Sequence, residues 1–271
     1  MTNLSTKQAD CTIPSMINVE EQSDWYKTYF GKDYWELVEY SCSTIEVTEQ
    51  ELDFLRPLFD KHNVKKVLDL CCGVGRHSNR LAEENFLVTA VDINDETLKL
   101  AEKENPQFNK VNYKLDDIRT VDLKTEEYNA ALLMQTSFGY FSNSENIDLI
   151  KKINSLLAEE GLLIIDIPNR DGMIKNFSDN GWTKINDKYY LVSHQYDYLD
   201  NRRITTMKVL DSQGENSYYN SIQMYSLAEI KFLLESNGFK VISLFGDFSK
   251  EHLRFDNNYR RLQVVAQKVK R

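Results

Sequence analysis

The sequence predicts an α/β fold: a doubly wound, mostly parallel sheet of seven strands in an αβα sandwich. A helical lid precedes it and an antiparallel β insertion follows the fifth strand. Three observations carry this expectation. From residue 48 to residue 170, short apolar runs of β-type residues alternate with amphipathic helical patterns, the rhythm of a parallel sheet. The first three runs end on acids, at Asp69, Asp92 and Asp116-Asp117. The rhythm then breaks between residues 171 and 225, where Tyr189 to Tyr198, Arg203 to Leu210 and Tyr218 to Tyr225 read as strands separated by Asp200-Asn201 and Gln213-Gly214 turns.

In chain order, residues 1–18 are polar and without period, and are expected to be a mobile tail. Residues 19–44 crowd aromatic side chains into one segment. Trp25 and Tyr29, like Tyr26 and Phe30, are four apart, as on one face of a helix capped by Ser23 or Asp24. Such a helix either packs on the core or forms a lid whose ring faces attract a cation. The main domain spans residues 45–271, and Thr48-Glu49-Gln50-Glu51 reads as a capping box opening its first helix.

The stretch Val67-Leu68-Asp69-Leu70-Cys71-Cys72-Gly73-Val74-Gly75 reads as strand, tight loop and helix start, a pocket at a strand's carboxyl end. Its chemistry disfavours a dinucleotide, because Asp69 would repel a pyrophosphate and Ser78 stands where a third glycine would. The same acid suits an ammonium group, and glycines at 73 and 75 let backbone approach the ligand. S-adenosylmethionine, cationic and free of phosphate, meets those demands. Asp92, followed by Ile93, lies seventeen residues after Gly75, placed to take a ribose diol. Asp117 is placed for an adenine amino group, with Ile118 against the ring.

With these residues the chain resembles the class I S-adenosylmethionine-dependent methyltransferases, of the small-molecule type, from about residue 45 onward. The resemblance implies S-adenosylmethionine binding at Asp69, Cys71, Gly73, Gly75, Asp92, Ile93, Asp117, Ile118 and Gln135. It also implies an antiparallel final strand, and methyl transfer to O, N or C of a small acceptor by in-line displacement. Cys71 departs from the glycine common at that place in the family. Competing expectations are a nicotinamide-dependent oxidoreductase, disfavoured by Asp69 and Ser78, and a non-catalytic methyltransferase-like module, which would be expected to lose these acids.

The later elements follow the same logic. Ala130 to Met134 is the fourth strand, Ser142-Asn143-Ser144-Glu145 caps a helix expected to end near Gly161, and Leu162 to Ile167 is the fifth strand. Ser226-Leu227-Ala228-Glu229 caps the last helix, and Phe239 to Phe245 and Arg261 to Val269 complete the sheet. Seven of the 15 tyrosines lie between residues 189 and 225, so the acceptor pocket is expected among the lid and the insertion, lined by Tyr26, Tyr34, Phe138, Tyr140, Tyr190 and Tyr196. His194 lies between Val192 and Tyr196 on one strand face and is the candidate base. His62 is expected at the surface, His77 is expected to pack or cap, and His252 is uninformative.

Composition narrows the partners. With 33 basic against 42 acidic residues the net charge is −9, a poor match for a nucleic-acid backbone. The loop after the fourth strand also lacks the Asn/Asp-Pro-Pro-aromatic motif that grips an extruded base. Gln135 stands where a metal-dependent enzyme would place an acid, so no metal is expected. Cysteines 11, 42, 71 and 72 show neither disulfide nor zinc spacing, and residues 1–20 lack an apolar core. The expectation is a soluble, cytoplasmic protein with a small-molecule substrate, no membrane partner and an oligomeric state open.

Overall fold

A computed structural model describes residues 24–41, 45–104, 110–248 and 258–270. The expected tail, the lid residues 19–23 and 42–44, Cys11, Cys42 and His252 lie outside the described residues. The central sheet contains β1 (Lys66–Leu70), β2 (Leu87–Asp92), β3 (Val111–Leu115), β4 (Tyr128–Leu133), β5 (Leu157–Pro168), β10 (Phe239–Gly246) and β11 (Arg261–Lys268). Its order is β10-β11-β5-β4-β1-β2-β3, and β11 is antiparallel to both neighbours. β1 lies at the middle of the parallel part with β2 on one side and β4 on the other, so the chain reverses direction across the sheet there. A crevice opens at that reversal, outside the carboxyl ends of the strands.

Both faces of the central strands are covered. Leu52, Leu55 and Phe59 of α3 (Ile45–Lys61) and Leu81 of α4 (Arg76–Glu83) pack with Val67, Ala130 and Leu132 on one face. On the other, Ile150 and Ile153 of α6 (Asn143–Leu156) and Ile230 and Leu234 of α8 (Leu227–Glu235) pack with Leu68, Ala131 and Leu133. Burial on two faces explains why these strands read as continuous apolar runs rather than alternating ones.

Local signals fixed several boundaries. Asn94 caps α5 (Asp95–Lys103), accepting from the amides of Glu96 and Thr97, and Ser142 and Ser226 form complete capping boxes with Glu145 and Glu229. Four expectations are corrected. Thr48 is no cap: α3 already runs from Ile45, and Thr48 Oγ1 accepts from Arg76 instead. The α6 helix stops at Leu156, because buried Leu157 turns extended and pairs with Tyr128. The aromatic segment is two helices, α1 (Tyr26–Tyr29) and α2 (Lys32–Ser41), rather than one. His62 is half-buried, not a surface residue.

The insertion has four strands where three were expected. β6 (Asn180–Ile185), β7 (Lys188–Asp197), β8 (Arg202–Asp211) and β9 (Gly214–Gln223) form a second antiparallel sheet. β6 opens on Asn180 and Gly181, which are depleted in strands, yet left-handed Asn186 closes a tight hairpin that pairs it with β7. A short helix, α7 (Arg170–Lys175), leads into this sheet. The sheet is fastened over the strand tips at one point. Gln223 donates its amide to the Gly139 carbonyl at 2.7 Å, and a Cβ on Gly139 would lie 2.5 Å from the Gln223 carbonyl oxygen. Arg202 reinforces the junction, donating to the carbonyls of Phe141 and Ser221 at 3.0 and 2.6 Å.

Lid and cap also grip each other. The Lys188 ammonium sits 2.7 Å from both Asp33 and Glu36 of α2, and the Tyr218 hydroxyl donates to Asp33 at 2.7 Å. No helix among the described residues is long and apolar enough to cross a membrane.

Candidate active site

A cleft lies over the ends of β1, β2, β3 and β4, under α1 and α2. Asp69 lines it at the end of β1 and is 2% exposed. Burial pushes its carboxyl upward, while the charge of His77, the Ser78 hydroxyl and the Arg76 charge oppose the rise. Ser78 Oγ donates to Asp69 at 2.5 Å, which gives the serine at the third glycine position a role.

The loop that follows is shaped by left-handed backbone. Cys71 has φ 59° and Gly73 φ 55°. Cys71 lines the cleft, and burial with the nearby Asp92 and Asp69 charges pushes its thiol well above the ordinary range. It is a small apolar wall rather than a nucleophile. A Cβ at Gly73 would lie 2.6 Å from the ring of Trp35, so the glycine is what lets the lid indole lie on the loop. Gly75 corrects the sequence expectation: it does not line the cleft, and a Cβ there would meet the Tyr113 hydroxyl and Ala101, at 2.6 and 2.8 Å. Its role is to seat the α4 start against β3 and α5.

Asp92 ends β2 with its carboxylate oriented by two amides, Gly73 N at 2.8 Å and Asn94 N at 2.9 Å. Burial pushes its pKa up and those amides pull it back. Ile93 and the buried Ile118 line the same wall. Asp117 also lines it but is already clasped by Arg119 at 2.6 Å. Burial alone would raise the Asp117 pKa; the Arg119 hydrogen bonds and charge hold it below the usual range. Arg119 further reaches Glu145 and the Tyr26 hydroxyl, and its guanidinium lies 4.3 Å from the Phe141 ring centroid. This tie between the Asp117 wall and the lid was not legible in the sequence.

Gln135 lines the cleft after β4. It and Thr136 are consecutive left-handed residues, held there because Gln135 N donates to the buried Asp166 carboxylate and Thr136 N to the Asp166 carbonyl. Arg261 and Gln263 of β11 fix Asp166 in turn. Gln135 accepts from Arg76 at 3.0 Å. Arg76, also absent from the sequence expectations, lines the cleft with its guanidinium 2.5 Å from Glu51. Glu51 is buried against burial's own penalty: the His77 hydrogen bond and charge, with Arg76, hold its carboxyl down at about 2. No group of His, Cys, Asp and Glu able to hold a metal occurs among the described residues.

Of the expected acceptor residues, Tyr26, Tyr34 and Tyr140 line the cleft, joined by Phe30, Trp35 and Phe141. They interlock edge to face, with Trp25 to Tyr140 at 5.0 Å and Phe30 to Tyr34 at 4.9 Å. Three others do not line it. Phe138 is wholly buried, stacked on Tyr225 at 5.4 Å, because the kink at Gln135 and Thr136 aims it into the core. Tyr190 is wholly buried with Ile185, Met207 and Val209. Tyr196 donates to Asn201 beside the β7–β8 turn. His194 is not in the cleft wall either: Nδ1 lies 2.9 Å from Thr205 Oγ1, and burial followed by the Arg203 charge lowers its pKa.

Residues 67–161 match the family model described as a methyltransferase domain. The rabbit (Oryctolagus cuniculus) glycine N-methyltransferase is 31% identical over 174 residues, 58% of each chain. The glycine/sarcosine N-methyltransferase of Aphanothece halophytica is 26% identical over 88% of this chain and 89% of that one. Among solved structures, an S-adenosylmethionine-dependent methyltransferase from Clostridium acetobutylicum superposes with TM-score 0.76 at 16% identity, covering 88% of this chain and 98% of the other. The chain thus spans little more than half the length of the rabbit enzyme. Fold, glycine loop and strand-end acids define a Rossmann-like methyltransferase domain. Residues 67–161 thus form a methyltransferase domain, set in the fold of the solved S-adenosylmethionine-dependent methyltransferases.

Proposed function

We propose that this protein transfers a methyl group from S-adenosylmethionine to a small-molecule acceptor. The observation that carries the reading is Asp92, a strand-end carboxylate whose two oxygens are oriented by the Gly73 and Asn94 amides in a cleft that the Asp69 carboxylate also lines. The residues fit the cofactor chemically. Asp69 suits the methionine ammonium, and Arg76 with the Trp35 indole Nε1, buried without a partner among the described residues, suits its carboxylate. Asp92 takes the ribose hydroxyls, and Ile93 and Ile118 sandwich the adenine.

When bound, the cofactor supplies an electrophilic methyl carbon on sulfur. The protein's contribution is then enclosure and alignment. The rings of Tyr26, Phe30, Tyr34 and Tyr140 exclude water and offer faces to a cation. Relatives named for methylation of glycine and sarcosine support a nitrogen acceptor. Calorimetric titration with S-adenosylhomocysteine and with NAD tests this reading. Micromolar binding of the first alone is expected, and NAD binding without it would overturn the proposal.

A further inference from the structure

Two neighbouring arginines on β8 have opposite fates. Arg202 faces the loop after β4 and donates to Phe141, Tyr140 and Ser221 carbonyls. Arg203 points to the other face, toward the lid, and makes no hydrogen bond or ion pair among the described residues; its Nε is buried and without a partner. Burial lowers its pKa, with the Arg261 charge of β11 adding to that and Tyr29 of α1, Tyr34 of α2 and Tyr140 opposing it, and its own charge adds to the lowering at His194 of β7. None of these is a carboxylate, and Arg261 is itself engaged by Asp166.

A second orphan lies beside it. In register, Arg203 pairs with Ile222 and Thr205 with Asn220, so Arg203 and Asn220 are diagonal neighbours on one face of adjacent strands. Asn220 is 4% exposed, meets the Tyr29 hydroxyl, and leaves Oδ1 buried without a partner. An unpaired guanidinium nitrogen and an unpaired carbonyl oxygen thus lie diagonally on the sheet face that meets the lid at Tyr29, and the charges of Tyr34 and Tyr140 of the cleft wall act on Arg203.

Such groups are costly unless something occupies them. A buried cation without an anion loses hydration that nothing replaces, and an unsatisfied buried acceptor adds to that cost. We infer that Arg203 and Asn220 form the acceptor subsite and that the acceptor is a small amine carrying a carboxylate. The Arg203 fork matches a carboxylate in two parallel hydrogen bonds. Asn220 Oδ1 accepts an N–H from the amine, which positions that nitrogen on the cleft side. One guanidinium among aromatic rings balances a single negative charge, which favours a carboxylate over a dianionic phosphate. Arg203 is a binding residue here, and the inference rests on the methyl-transfer reading above.

The test uses the full-length protein with S-adenosylmethionine and amines offered in pairs: glycine against glycinamide, sarcosine against its amide, β-alanine against β-alaninamide. Turnover of at least one carboxylate with its amide silent supports the assignment. Arg203→Met should then raise the acceptor KM by at least about 100-fold, with S-adenosylhomocysteine affinity unchanged within about twofold. Arg203→Lys should recover part of that loss, and covers the case in which the methionine variant does not fold. Amides turned over as well as their acids, or no carboxylate turned over by protein that binds S-adenosylhomocysteine, overturns it. Absence of S-adenosylhomocysteine binding by the parent instead defeats the methyl-transfer reading beneath it.

Discussion

The Ser78 hydroxyl donates to the Asp69 carboxylate across 2.5 Å, tying the first turn of α4 to the end of β1. The serine therefore holds the acid in place from behind while its other edge faces the cleft. Asp69→Asn is expected to weaken S-adenosylhomocysteine by about 2–3 kcal/mol, as for a lost charge-assisted hydrogen bond, and Ser78→Ala by about 1 kcal/mol. Calorimetry on both variants checks this; equal losses would mean that Asp69 acts through folding rather than through the ligand.

Removing Asp92, proposed to take the ribose hydroxyls, should cost more. Asp92→Ala is expected to lower cofactor affinity by about 2–4 kcal/mol, since two hydrogen bonds to a charged acceptor vanish and the Gly73 and Asn94 amides lose their partner. Binding equal to the parent's would remove Asp92 from the site.

His194 was expected from the sequence to act as base, but its ring bonds Thr205 on the sheet face it shares with Arg203 and it is not among the residues lining the cleft. Loss of a general base costs about 10²–10⁴ in rate. His194→Ala should lower kcat by less than about tenfold, measured on whichever acceptor the paired panel identifies. A hundredfold fall would restore the catalytic role.

Glu51 predicts a pH signature. Its folded pKa of about 2 lies below the ordinary carboxyl value of 4.5, so it stabilises the folded state above pH 4.5. That contribution is lost as pH falls from 4.5 through 2. The melting temperature of Glu51→Gln should accordingly lie below the parent's at pH 6, with the gap closing toward pH 3. A gap independent of pH would assign the effect to packing.

Gly139 should be intolerant. An added Cβ would strike the Gln223 carbonyl at 2.5 Å, and the backbone there has φ 99°. Gly139→Ala is expected to destabilise by about 1–3 kcal/mol through strained backbone, visible as a lowered denaturant midpoint. An unchanged midpoint would show that the cap docks without this junction.

Much of the fold was legible because its signals are local. The strand-end acids 69, 92 and 117, the Asn94, Ser142 and Ser226 caps, and the switch from helical to alternating pattern near residue 171 each depend on a few consecutive residues. What escaped depends on residues far apart. Arg119 gains its meaning from Tyr26, ninety-three positions earlier, and Lys188 from Asp33 and Glu36. Phe138 looked like Tyr140 in the sequence, and only the left-handed pair at 135 and 136, held by Asp166, separates their directions. Arg203 was unremarkable beside Arg202 until the sheet put them on opposite faces.

The clasp of Lys188 with Asp33 and Glu36 has a kinetic side. It joins α2 to the cap hairpin, so the two covers over the cleft are coupled, while Arg119 separately ties α1 at Tyr26 to Asp117 of the cleft wall. Displacing one cover therefore strains the other, so opening over the cleft is expected to be a slow collective motion rather than a local flicker. Turnover is then expected to slow as solvent viscosity rises, and Lys188→Met, by uncoupling the covers, to blunt that dependence.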